Sequence, residues 1–198
     1  HQTKSLNTYT AAAANLSTED NDKLIKEAEE YNSNISVRDN VFILSEEEYE
    51  EYLKILDVSG TGVMGYIDIP SIKVTLPIYH TTKDTILQIG VGHLEWSAFP
   101  VGGEGTHSVL SGHRGLPSAK LFSDLDKVKE GELFTITILD RVYTYEVDQI
   151  RIVLPNEVQE LVPIQGEDLC TLVTCTPYGI NTHRLLVRGH RTENIAER

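Results

Sequence analysis

Asp168-Leu-Cys-Thr-Leu-Val-Thr-Cys175-Thr-Pro-Tyr-Gly-Ile-Asn-Thr-His-Arg184-Leu-Leu-Val-Arg-Gly189 is the stretch on which the reading of this chain turns. After Asp168, its first residues are apolar or β-branched, and they predict a strand over 168–175. Pro177, Gly179 and Asn181 then supply enough turn chemistry to bring the chain back. Arg184 to Gly189 predicts a second strand, antiparallel to the first. Cys175 therefore closes a strand and meets a sharp turn. A rigid strand would hold such a thiol while the turn opens one side of it to solvent. A thiol with an ordinary pKa near ~8.5 needs a cationic neighbour to act as a nucleophile at neutral pH. Arg184, nine residues on, is placed to reach the same spot, where its fixed charge would stabilise an oxyanion.

Working outward, the second cysteine is Cys170. Five residues separate it from Cys175, and strand side chains alternate faces, so the two point to opposite sides. A disulfide between them is geometrically poor. Cys170, mid-strand with no turn beside it, reads as a buried, inert thiol. Upstream lies Leu110-Ser-Gly-His113-Arg-Gly115, where His113 follows an apolar strand between two glycines. Exposed at a strand end, His113 can pair with a thiol. The order His then Cys is not that of papain-like proteases, and the Q-A-C signature of caspases is absent. Taken singly, each of the three residues also has a plainer reading: an inert strand cysteine, a loop histidine and a surface arginine.

The rest of the chain divides near residue 60. Before it, helical periodicity runs from Thr18 to Tyr31, with Leu24, Ala28 and Tyr31 on one face. Ser45 and Glu48 form a capping box for a second helix reaching Leu56. Ile35 to Leu44 lies between them as an extended or looped link. After Gly60, strands are predicted over 63–69, 72–76, 107–110, 133–139, 142–153, 168–175 and 184–189, with short helices only near 82–88 and 118–125. Many short strands at turn-rich spacing predict a closed barrel or a sandwich. The expected organisation is a helical arm over 1–60 and a β-barrel catalytic domain over 61–198. Gly60-Thr-Gly-Val-Met-Gly65 matches the dinucleotide pattern formally, but a helix precedes it and a strand follows, the reverse of what that site needs. No cofactor motif or metal-ligand spacing is present, and His93 reads as a structural histidine.

The net charge is −13, of which residues 1–60 carry −8. Nucleic acid and anionic lipid are thereby disfavoured as partners. No apolar run approaches the roughly 18 residues of a membrane span. No leader peptide is visible. The opening His1-Gln-Thr-Lys4 lacks an initiator Met, as expected of a piece cut from a longer chain that carries its anchors elsewhere.

Together these motifs resemble the sortases, and more closely their pilus-building class C. The T-L-x-T-C signature reads Thr171-Leu-Val-Thr-Cys175, followed across a loop by Arg184. Gly105-Thr-His-Ser-Val-Leu-Ser-Gly-His-Arg-Gly-Leu-Pro-Ser-Ala-Lys-Leu-Phe122, Gly65-Tyr-Ile-Asp-Ile-Pro70 and Leu76-Pro-Ile-Tyr-His80 fit as well, so the likeness covers about residues 60–191 in order. The resemblance implies an eight-stranded sortase-type barrel, mostly β, with short helices. It implies that Cys175, with His113, attacks the Thr–Gly bond of an LPxTG-like sorting signal while Arg184 polarises the Thr carbonyl. A lysine amine of a second pilin would resolve the thioacyl enzyme. No cofactor or metal is implied. The partners would be pilin subunits, and the setting the outer face of a Gram-positive cell membrane. A housekeeping sortase acting on cell-wall precursor, a hydrolytic cysteine protease and a non-enzymatic pilus or adhesin module are the alternatives. Thr174 and His183, next to the two catalytic positions, are secondary candidates for the substrate groove. Many class C enzymes carry a lid with an Asp-Pro-aromatic motif, and no Asp-Pro occurs here. Asp39 and Phe42 are the nearest counterparts, in a segment expected to pack as a linker.

Overall fold

The computed structural model describes residues 2–35, 38, 40–114 and 120–195. Three helices come first: α1 (Gln2–Ala14), α2 (Thr18–Ile35) and α3 (Glu46–Lys54). Eight strands follow: β1 (Val63–Ile69), β2 (Val74–His80), β3 (Val91–His93), β4 (Thr106–Ser111), β5 (Leu133–Ile138), β6 (Arg141–Val153), β7 (Asp168–Thr176) and β8 (His183–Arg191), with one short helix, α4 (Asp84–Leu87), between β2 and β3. The strands close into a barrel in the order β1-β2-β3-β4-β7-β8-β6-β5. The expected eight-stranded, mostly β architecture is the observed one. The short helix expected over 118–125 falls partly outside the described residues; from 120 onward the chain turns and then forms a 3-10 turn at Leu125–Lys127.

The N-terminal helices are fastened to the barrel by their own buried faces. In α2, Asn21, Ile25, Ala28, Asn32 and Ile35 are buried at helical spacing, the stripe that an amphipathic helix presents to a core. The Asn32 side-chain amide spans the Phe99 backbone, donating to its carbonyl at 3.0 Å and accepting from its N–H at 2.7 Å. From α1, the Tyr9 hydroxyl accepts the Leu139 N–H at 2.9 Å. Helix α3 begins as its sequence requires: the Ser45 hydroxyl accepts from the Glu48 N–H, and the Glu48 carboxylate accepts from the Ser45 N–H. Such caps contribute about 1 kcal/mol. Tyr52 from α3 is wholly buried, its ring near-parallel to those of both His93 and Phe99.

Two ladders matter for the site. β4 runs parallel to β7, pairing Thr106 with Asp168 through to Ser111 with Val173. β8 returns antiparallel along the other edge of β7 and pairs Arg184 with Cys175. Parallel neighbours need a long crossover, and the chain between β4 and β7 supplies it with β5 and β6. The two edges of β7 thus carry residues that are far apart in sequence to one strand end.

Candidate active site

Side-chain alternation sorts β7 into two faces. Cys170, Leu172 and Thr174 point into the barrel and are buried. Thr171, Val173 and Cys175 point outward, where Val173 joins an apolar cluster built from Val109, Val153, Leu161, Leu186, Leu94 and Trp96. That cluster floors a cavity of about 270 Å³, lined among others by Trp96, Ser111, Leu161, Val173, Arg184 and Leu186. Cys175 lies two residues beyond Val173 on the same face, at the groove's end, and is half-buried. A larger cavity of about 570 Å³ lies against α2 and the 102–106 loop and contains none of the three candidate catalytic residues; the smaller one is lined by Arg184.

Arg184 faces Cys175 directly across the ladder. The Val173 carbonyl accepts the Gly112 N–H at 3.0 Å and so points toward β4. Alternation then makes Cys175 and Arg184 a non-hydrogen-bonded pair, the kind with the closer side chains, Cα atoms about 4.5 Å apart. The Arg184 Nη1 donates to the carbonyls of Asn181 at 3.1 Å and His183 at 3.0 Å. These carbonyls are available because Gly179 and Asn181 adopt left-handed backbone, φ 76° and 60°, and fold the loop back on itself. The guanidinium is thereby aimed by its own loop.

His113 reaches the same end from β4. Ser111 is paired with Val173, so two further steps along both strands bring His113 level with Cys175 and on its face. The strand ends are locked together there: the Thr174 hydroxyl donates to the Gly112 carbonyl at 2.8 Å. Only glycine fits position 112, because a Cβ would come within 2.7 Å of the Phe122 ring. Among the described residues, neither the His113 imidazole nor the Cys175 thiol has a hydrogen-bond partner. The three expected catalytic residues therefore converge on one strand end.

The secondary candidates fall elsewhere. Thr174 is buried, and its hydroxyl faces β4 rather than the groove. His183 pairs with Thr176, on the face opposite Arg184, and its Nδ1 lies 2.9 Å from the Thr182 hydroxyl. Phe42 packs edge-on against Trp96, ring centroids 4.9 Å apart, at the rim of the groove. Asp39 lies outside the described residues. Beside Phe42, Arg38 donates to Glu48, to the Tyr31 hydroxyl and to the carbonyls of Val41 and Trp96, which ties the link between α2 and α3 to the groove wall.

Two residues were not anticipated from the sequence. Trp96 walls the groove; its signal was an aromatic residue in a loop beside His93. Arg114 is the other. It follows His113, its side chain is 8% exposed, and it pairs with Asp126 at 3.1 Å. The only hint was a charge placed directly after the strand-end histidine.

Cys170, His93 and His107 are buried in neutral forms. Burial pushes the Cys170 thiol well above its ordinary range, and nearby Asp168 adds to the effect. Burial lowers His93 to about 3 and His107 to about 4. In His107, Nδ1 donates to the Val162 carbonyl at 2.9 Å, so Nε2 accepts from the Thr171 hydroxyl at 2.6 Å. Among the described residues no group of His, Cys, Asp and Glu is arranged to hold a metal ion.

Comparison with known proteins agrees with this geometry. The sortase-domain family model matches residues 67–192. A curated relative, sortase A of Streptococcus agalactiae serotype III (strain NEM316), is 35% identical over 117 residues, covering 58% of this chain and 47% of that protein. This chain therefore spans about half the length of that relative. Among solved structures, sortase C1 from Streptococcus agalactiae is 48% identical with a TM-score of 0.92, covering 97% of this chain and all of that one. Sortase C-1 from Actinomyces oris is 43% identical with a TM-score of 0.81, covering 88% and 99%.

Proposed function

Because this chain belongs to the sortase family, we propose that it is a pilus-assembling cysteine transpeptidase. It cleaves an LPxTG-like signal between Thr and Gly and joins the acyl group to a pilin lysine. The observation that carries the reading is the meeting of Cys175, Arg184 and His113 at the end of an apolar groove. The groove suits the leucine and proline of such a signal, and the strand end suits the scissile bond.

In this scheme the Cys175 sulfur attacks the Thr carbonyl carbon, and Arg184 bears against the oxygen as it gains charge. The C–N bond breaks as His113 donates a proton to the departing glycine amine, leaving a thioester on Cys175. A lysine amine then attacks the thioester. His113 takes its proton, the C–S bond breaks, and an isopeptide bond remains. Thr174 holds the strand ends together through its bond to the Gly112 carbonyl, and His183 stands on the face opposite Arg184. The enzyme would work at the outer face of a Gram-positive membrane. No helix among the described residues is long and apolar enough to cross one.

Incubation with an LPxTG-type peptide tests the proposal by intact and peptide-level mass spectrometry. The expected product is Cys175 carrying the acyl fragment, released by added lysine-bearing pilin peptide faster than by water. Label on Cys170, or no label, would refute it. The likeness to proteins called sortase A favours one second reading, attachment to cell-wall precursor. A peptidoglycan stem amine outcompeting the pilin lysine would establish that instead.

A further inference from the structure

The strand end that carries Cys175 lies beyond the last paired residues of the β4–β7 ladder. Val173 is the last β7 residue whose carbonyl is taken by a β4 backbone N–H, that of Gly112. Carbonyls two residues apart on a strand face the same neighbour, so the Cys175 carbonyl is the next acceptor on that side. The β4 backbone is no longer there to meet it. After His113 the chain turns away, and the His113 carbonyl accepts the Phe122 N–H. A side chain stands in the gap. Arg114 Nη1 is 3.4 Å from the Cys175 carbonyl oxygen and 3.3 Å from the Thr176 hydroxyl.

The same guanidinium is held from behind. Nε donates to the Ser123 carbonyl at 3.2 Å, Nη2 meets Asp126 at 3.1 Å, and the charge lies 5.9 Å from the Tyr178 ring centroid. One planar fork with donors at fixed angles can serve several partners at once; an ammonium cannot reproduce this. Arg114 therefore touches the nucleophile's own main chain, the loop after it and the segment that follows His113. By alternation its side chain leaves β4 on the face opposite His113, as Thr176 does opposite Cys175.

We propose that Arg114 is a positioning residue of this site: its guanidinium replaces the missing ladder donor at the Cys175 carbonyl and fixes the sulfur relative to His113 and Arg184. The proposal rests on the sortase reading for its reaction but not for its geometry. Arg114 touches no substrate. It acts through the orientation of Cys175, whose misplacement by about 1 Å is enough to cost on the order of 10²-fold in rate.

The test compares wild type, Arg114→Gln and Arg114→Lys by two readouts. The first is single-turnover acylation by an LPxTG-type peptide. We expect the maximal rate to fall at least about tenfold in Arg114→Gln, with half-saturation unchanged within about twofold, and Arg114→Lys to recover part of the loss. The second is the pH profile of Cys175 alkylation by iodoacetamide, which needs no substrate. Cys175 faces His113 from β4 and Arg184 from β8, so a sulfur displaced from both should react with a changed profile. A merely structural arginine would lower the melting temperature and leave that profile in place. An unchanged profile and an unchanged acylation rate overturn the proposal. If wild type fails to acylate, the sortase reading fails, and the alkylation profile still decides the role of Arg114. If Arg114→Gln does not fold, Thr176→Val removes one strand-end contact instead; a loss of about threefold supports the proposal, and no loss overturns it.

Discussion

β4, β7 and the residues that continue them past Ser111 and Val173 carry two histidines and two cysteines, and the two ends of this strand pair use them differently. At the buried end, His107 is locked between the Val162 carbonyl and the Thr171 hydroxyl, and Cys170 is fully enclosed. At the open end, His113 and Cys175 are half-buried, and among the described residues neither the imidazole nor the thiol has a hydrogen-bond partner. Parity explains part of this. His107 and His113 are six residues apart and share a face, whereas Cys170 and Cys175 are five apart and do not. Only one cysteine can look toward the histidine face. Burial explains the rest: the thiol in the core is held protonated, while the one at the strand end is open to a partner.

The largest effect should separate the two cysteines. Cys175→Ala is expected to lower acyl transfer by at least about 10³-fold, with the fold intact by circular dichroism. Cys170→Ala removes one buried sulfur atom. It should cost about 1 kcal/mol in urea denaturation and leave turnover within about twofold. Comparable losses of rate in both variants would dissolve the contrast.

Much of this contrast was legible in the sequence. The 168–189 stretch shows Cys175 at a strand end, and Pro177, Gly179 and Asn181 show the turn that brings Arg184 opposite. Ser45 and Glu48 announced the α3 cap. His113 was recognisable as a strand-end residue, but its meeting with Cys175 depends on β4 and β7 being neighbours across a long crossover, and spacing alone does not state that. Three elements were missed for identifiable reasons. β3 is three residues long, too short to show a period. α1 buries only Tyr9, so it lacks the apolar stripe by which helices are recognised. Arg114 owes its role to partners as much as 62 residues away, which no local pattern encodes.

A smaller effect should appear with acid, and it belongs to the buried histidines. His93 and His107 have folded-state values of about 3 and about 4, against an ordinary 6.5. Between those limits the unfolded chain binds a proton that the fold refuses, so stability falls as pH drops through 6.5. Each group contributes on the order of 1.4 kcal/mol per pH unit. The contribution stops growing below about 4 for His107 and about 3 for His93, and neither adds a slope above 6.5. Thermal melts from pH 7 to 4.5 should therefore show falling stability, and His107→Gln should flatten part of the slope. A slope unchanged by that substitution would mean that His107 does not belong to the rigid end.

The smallest effect tests whether the buried end is structural alone. Thr171 stands on the same face of β7 as Cys175, and its hydroxyl is the donor that satisfies Nε2 of His107. Thr171→Val keeps the shape and removes the donor, leaving one buried acceptor unpaired at a cost of about 1–3 kcal/mol. The His107 Nδ1 bond to Val162 is untouched, so the β6–β7 loop that packs Leu161 over the groove keeps its anchor. The unfolding free energy in urea should fall by that amount while the acylation rate stays within about twofold. If the rate instead fell in step with the rate loss of Arg114→Gln, the two ends would be one coupled unit. The groove face of β7 would then transmit disorder along the five residues from Thr171 to Cys175. The observed bonding argues against that coupling. Val173, between them, is held by the backbone of β4 through the Gly112 N–H, and a ladder bond of that kind isolates a strand end from a side-chain change two residues behind it.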